Sequence, residues 1–89
     1  MDYLDIILEE MFKRVGAIYD PAKVHIDGWY NEHEWTKTEE DNFINWLAEL
    51  LYSNKDARNK IMAFKSKNKK RCKDAANWFV FNYGWKTKI

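Results

Sequence analysis

The densest concentration of chemically able side chains lies late in the chain. Lys65, Lys67, Lys69, Lys70, Arg71 and Lys73 fall within nine residues, followed by Trp78, Phe81, Tyr83 and Trp85, with Lys86 and Lys88 beyond. Ammonium and guanidinium groups track phosphates, and aromatic faces stack on exposed bases. This pattern points to nucleic-acid contact. The expected phosphate-facing residues are Lys65, Lys67, Lys69, Lys70, Arg71, Lys73 and Lys86, with Trp85 as the stacking or docking aromatic. The plainer alternative is a solvated lysine-rich face whose aromatics belong to the core, as expected for Phe79 and Tyr83. Trp78, Phe81 and Trp85 lie in other directions around a helix, leaving some of them for a second core, a dimer interface or a ligand.

Charge separates along the chain. Residues 1–53 carry four basic and twelve acidic side chains, a balance of −8, and residues 54–89 carry eleven and two, a balance of +9. Such asymmetry suggests an anionic partner, because cations that neutralise phosphates release condensed counterions. Two other readings remain open: the halves face each other within one fold, or they pair between copies in a homodimer.

A second candidate surface is acidic and aromatic. Trp29, Tyr30, Glu32 and Glu34 precede Glu39, Glu40 and Asp41. A dense carboxylate surface can imitate a phosphate backbone and block a basic groove on another protein. First-turn carboxylates of a helix account equally well for Glu39, Glu40 and Asp41. A protein-binding inhibitor using Trp29, Tyr30, Glu32 and Glu34 is therefore the alternative function.

Other chemistry is poorly represented. His25, Asp27, Glu32, His33, Glu34 and Cys72 are available metal ligands, yet their spacing matches no zinc pattern. No nucleophile elbow, phosphate-cradling glycine loop or helical His-Glu-His arrangement occurs. Cys72 lies between Arg71 and Lys73, which would favour its thiolate. It also shares an apolar face with Ala75 and Ala76, which fits a small core residue better. No cofactor and no enzymatic activity are expected.

These side chains need elements to hold them, and the periodicity supplies four. Residues 2–15 place Leu4, Ile7, Leu8, Met11, Phe12 and Val15 at helical spacing, with Gly16 as the stop. Residues 36–52 repeat the pattern through Phe43, Trp46, Leu47, Leu50 and Leu51, with Thr38 as the expected N-cap. Residues 56–64 read as a shorter helix on Ala57, Ile61 and Phe64, which Ser53 and Asn54 could cap. Residues 68–83 read as the last helix, with Cys72, Ala75, Ala76, Phe79 and Tyr83 on one face and Gly84 as its stop. The run Trp78-Phe79-Val80-Phe81 is also compatible with a strand. Residues 17–35 are the least regular, with turn signals at Asp20-Pro21 and Asp27-Gly28 and a short strand open over 23–27.

The expectation is therefore an all-α fold, a compact single domain over 1–89 of three or four helices, with a long packed loop between the first and second. A chain of 89 residues cannot build two independent cores. Aromatic content of 17%, with five Trp, supplies large buried areas to so small a core. A single Cys cannot close an internal disulfide, no apolar run is long enough to span a bilayer, and the N-terminus is acidic where a secretory leader would be basic. Those features lead us to expect a cytoplasmic protein without a membrane partner.

Two stretches, Trp35-Thr36-Lys37-Thr38-Glu39-Glu40 leading to Trp46-Leu47, and Phe81-Asn82-Tyr83-Gly84-Trp85-Lys86, resemble small proteins of unassigned function encoded by tailed bacteriophages. The resemblance implies an accessory role in the host cytoplasm, taking over host functions or countering defences by occupying a nucleic acid or a protein. It carries no site residues with it.

Overall fold

A computed structural model describes residues 2–23, 33–62 and 67–88. Four α-helices occur among the described residues, α1 (Tyr3–Lys13), α2 (Lys37–Ser53), α3 (Lys55–Ile61) and α4 (Lys69–Tyr83), with a 3-10 turn at Pro21–Lys23. Two short strands, β1 (Glu34–Trp35) and β2 (Lys86–Thr87), pair in parallel, Glu34 opposite Lys86 and Trp35 opposite Thr87. The fold is all-α, and the stretch from Trp78 to Phe81 is helical.

Each helix begins on a side chain that satisfies its free N–H groups. Asp2 accepts from the Leu4 N–H at 3.2 Å, and Asn68 accepts from the Arg71 N–H at 3.1 Å. At α2 the cap is Thr36, not Thr38. Thr36 Oγ1 accepts from the Glu39 N–H at 3.1 Å, while Glu39 Oε1 accepts from the Thr36 N–H at 2.8 Å. This reciprocal box needs a glutamate three residues after the threonine, a spacing that Thr36 has and Thr38 lacks. Asn54 ends α2 and starts α3. Its N–H donates to Leu50 O, its Oδ1 accepts from the Asp56 and Ala57 N–H groups, and its Nδ2 donates to Tyr3 Oη at 2.6 Å. Arg58 closes the same corner by donating to Leu51 O and Tyr52 O.

Gly16 stops α1 at a φ of +71°. The Gly16 N–H bonds Lys13 O and the Ala17 N–H bonds Phe12 O, the paired bonds of a Schellman ending. Gly84 caps α4 differently, in extended conformation. The 17–35 stretch packs through Tyr19 and Trp35, while Ile18 is exposed. The Tyr19 hydroxyl donates to Asp5 at 2.7 Å, its ring meets Phe12, and Trp35 is fully buried. The strand considered over 23–27 lies largely outside the described residues, as does Phe64, and α3 ends at Ile61.

The core joins Ile7, Leu8, Met11 and Phe12 of α1, Phe43, Ile44, Leu47 and Leu51 of α2, and Cys72, Ala76, Phe79 and Val80 of α4. Trp35 and Trp85 enter from the strands' end of the molecule and complete it.

Candidate functional site

Helix α4 has two unlike faces. Cys72, Ala76, Phe79 and Val80 point into the core. At 100° per residue the opposite side carries Lys70, Arg71, Asp74, Asn77, Trp78 and Phe81, all exposed. Trp78 is 55% and Phe81 89% accessible, unusual values for residues so large. They lie one turn apart near the C-terminal end of the helix, and the cations gather at the other end.

Lys67, Lys69, Lys70, Arg71 and Lys73 are all exposed around the start of α4. Lys65 lies outside the described residues. Helices α1, α2 and α3 each have an acidic residue in the first turn, as the macrodipole favours, whereas α4 has none and places Lys69, Lys70 and Arg71 there. These cations meet the positive end of the helix and repel it. Lys67 and Lys69 hold their Nζ atoms over the Tyr52 ring, 5.1 and 5.3 Å from its centroid, and Lys73 Nζ donates to Asn45 Oδ1. Three lysines thus lean toward α2 on neutral partners. A cleft of about 220 Å³ opens beside them, with Glu49 in its wall.

The acidic and basic halves touch at Asp2 and Lys60, 2.9 Å apart. Within the acidic half Arg14 pairs with Glu10 and Lys37 with Glu40 and Asp41, while Glu40 also accepts from the Thr87 hydroxyl of the basic half.

Trp85 corrects one expectation. It is 4% exposed, its Nε1 donates to Met11 O at 3.2 Å, and its ring meets Phe12 edge-on with centroids 4.6 Å apart. A residue so enclosed offers no face to a base. Its work is to bind the C-terminal segment to α1, and among the described residues the exposed large aromatics are Trp78 and Phe81. The signal for them lay in the helical wheel, which sets both opposite the apolar stripe of α4.

A larger groove of about 610 Å³ runs beside that pair, between α4 and the N-terminal half of α2. Ile44 and Val80 lie in its floor, and Glu40, Asn77 and Lys86 supply its polar groups. Lys86 is exposed in β2 and faces Glu34 across the strand pair. Glu34 is exposed; Trp29, Tyr30 and Glu32 of the alternative surface lie outside the described residues.

Cys72 is fully buried with Sγ 4.0 Å from Met62 Sδ, so it is a core residue in this fold. Among the described residues no group of three or more His, Cys, Asp or Glu is placed to hold a metal ion. Nor, among them, is any helix long and apolar enough to cross a membrane. Compared with protein-family models, with curated proteins and with solved structures, the chain matches none.

Proposed function

We propose that this chain is a non-enzymatic accessory protein that binds nucleic acid, free or within a nucleoprotein complex, through the basic surface around the start of α4. The resemblance to small tailed-phage proteins supports a role in host takeover or defence evasion in the host cytoplasm. One observation carries the reading. Five exposed cations crowd a helix end whose own dipole disfavours them, with no first-turn carboxylate to compensate. A polyanion relieves that repulsion, and counterion release adds affinity.

The test is salt dependence. Six described cations of the basic surface are exposed: Lys67, Lys69, Lys70, Arg71, Lys73 and Lys86. If all engage, log K should fall against log salt with a slope of about −4 on single strands or about −5 on duplex. The charge-reversed pair Lys69→Glu, Lys70→Glu should weaken binding and flatten the slope by about 1.5. Unchanged affinity at every salt concentration would sink the assignment. Binding that survives this reversal but collapses on Trp29→Ala would move the function to a protein partner held by Trp29, Tyr30, Glu32 and Glu34.

A further inference from the structure

We infer that the nucleic acid this surface takes is single-stranded, with its bases stacked on Trp78 and Phe81 and its phosphates on the cations at either end of α4. The inference rests on the nucleic-acid reading above and adds the form of the ligand. Trp78 and Phe81 share the outward side of α4 with Lys70 and Arg71, and Lys86 follows beyond the helix end. From Lys70 to Phe81 the helix rises about 16 Å. That suits a strand at the short end of the usual site sizes, about four nucleotides.

The order of groups along that side matters. Asp74 and Asn77 lie between the cations and the two rings. A phosphate over the helix middle would face the Asp74 carboxylate and be repelled. A strand that places phosphates at the ends and turns bases inward meets rings, an amide and one carboxylate instead. The groove beside the rings, with apolar Ile44 and Val80 below and Glu40, Asn77 and Lys86 at its edge, leaves about 610 Å³ into which an unstacked base can turn.

Duplex cannot use this arrangement. Its base faces are already stacked, and it presents phosphates, sugars and base edges. The cations would bind it, but the rings would gain nothing. Every base has a π-face, so stacking on two rings is tolerant of sequence, and each ring is worth about 5- to 150-fold in affinity.

The experiment is fluorescence anisotropy with a labelled mixed-sequence strand of about 12 nucleotides, as DNA and as RNA, against a duplex of the same length. The strand should bind about tenfold or more tightly than the duplex. Trp78→Ala with Phe81→Ala should weaken the strand by about tenfold or more, leaving duplex affinity and salt slope unchanged. Trp78→Phe, which keeps a stacking face, should retain most of the affinity. Both side chains are exposed, so the variants should melt like the parent, and their melting temperatures check this. Equal affinity for strand and duplex, or a double variant that binds the strand undiminished, overturns the stacking inference and leaves the basic surface standing. A dimer that the double variant dissociates, without change in strand affinity, also overturns it by assigning the rings to a second copy. If the parent binds neither form, the nucleic-acid reading itself has failed. A preference for DNA or RNA among strands identifies the natural source, through contacts to the 2′-hydroxyl.

Discussion

Replacing Gly84 with alanine should destabilise the protein for a reason unrelated to glycine's backbone freedom. Gly84 has φ −75° and ψ 166°, which any residue can adopt. What it lacks is room. A Cβ there would lie 2.5 Å from Val80 O and 2.8 Å from Val80 Cγ1. Neither neighbour can yield cheaply. Val80 O accepts the Gly84 N–H at 2.7 Å, closing the last turn of α4, and the Val80 side chain is packed into the core. The chain must therefore swing outward at the point that aims Trp85 toward Met11 O and sets Lys86 and Thr87 against β1. Overpacking of this kind costs about 1–3 kcal/mol. In a domain of this size each kcal/mol lowers Tm by about 4–8 °C, so a loss of about 10 °C is expected.

Gly16 provides the control. There a Cβ would meet nothing within 4 Å, but φ is +71°. Gly16→Ala should cost about 1 kcal/mol through left-handed strain alone. Asparagine tolerates that conformation, so Gly16→Asn should recover part of the loss. Gly84→Asn should do no better than Gly84→Ala, because its side chain is larger. Thermal and urea unfolding followed by circular dichroism would measure all four. A Gly84→Ala protein within about 0.5 kcal/mol of the parent, or an asparagine rescue at Gly84, would refute the steric argument.

Two further outcomes follow from the helix starts. Thr36→Ala should lose about 1 kcal/mol by breaking the reciprocal box with Glu39, while Thr38→Ala, inside the first turn of α2 and exposed, should lose little, as equilibrium unfolding of the pair would show. Acid should erode stability through two carboxylates. Asp2 is held below its ordinary 3.8, first by the hydrogen bond from Lys60 and then by the Leu4 N–H, and Glu39 below its ordinary 4.5, first by the Thr36 N–H. A folded-state pKa below the unfolded one gives stability that is complete above the unfolded value and fades as pH falls through the folded one. Asp2→Asn and Glu39→Gln should therefore melt below the parent at neutral pH, with the gap closing well below pH 3.8; a gap constant with pH would show that charge plays no part. Lys60 is raised by the same pairing with Asp2, so its share persists up to its ordinary 10.5 and is lost only as pH rises further.

α1 and α2 were legible because each repeats its apolar residues often enough for the period to declare itself, and Gly16 and Asn54 stand where a helix must be stopped or capped. The cap of α2 is written in the spacing too: Thr36 stands three residues before a glutamate and Thr38 three before an aspartate. Trp85 was different in kind. It follows the last helix, where no periodicity assigns a face, and its burial is decided by Phe12 and by a carbonyl 74 residues away. The β1 and β2 pairing is equally non-local and only two residues long, too short to leave a pattern. The same logic explains how the candidate site changed. Charge is a property of composition, so the basic cluster survives the passage from sequence to structure with each described cation still exposed. Which aromatic accompanies it is a property of packing. Trp85 lost its place because α1 offered it an edge-on ring and a hydrogen bond, and Trp78 and Phe81 gained theirs because Cys72, Ala76, Phe79 and Val80 had already claimed the inward side of α4. The proposed surface is then assembled mainly on one helix, its cations set by sequence and its rings by what the core left outside.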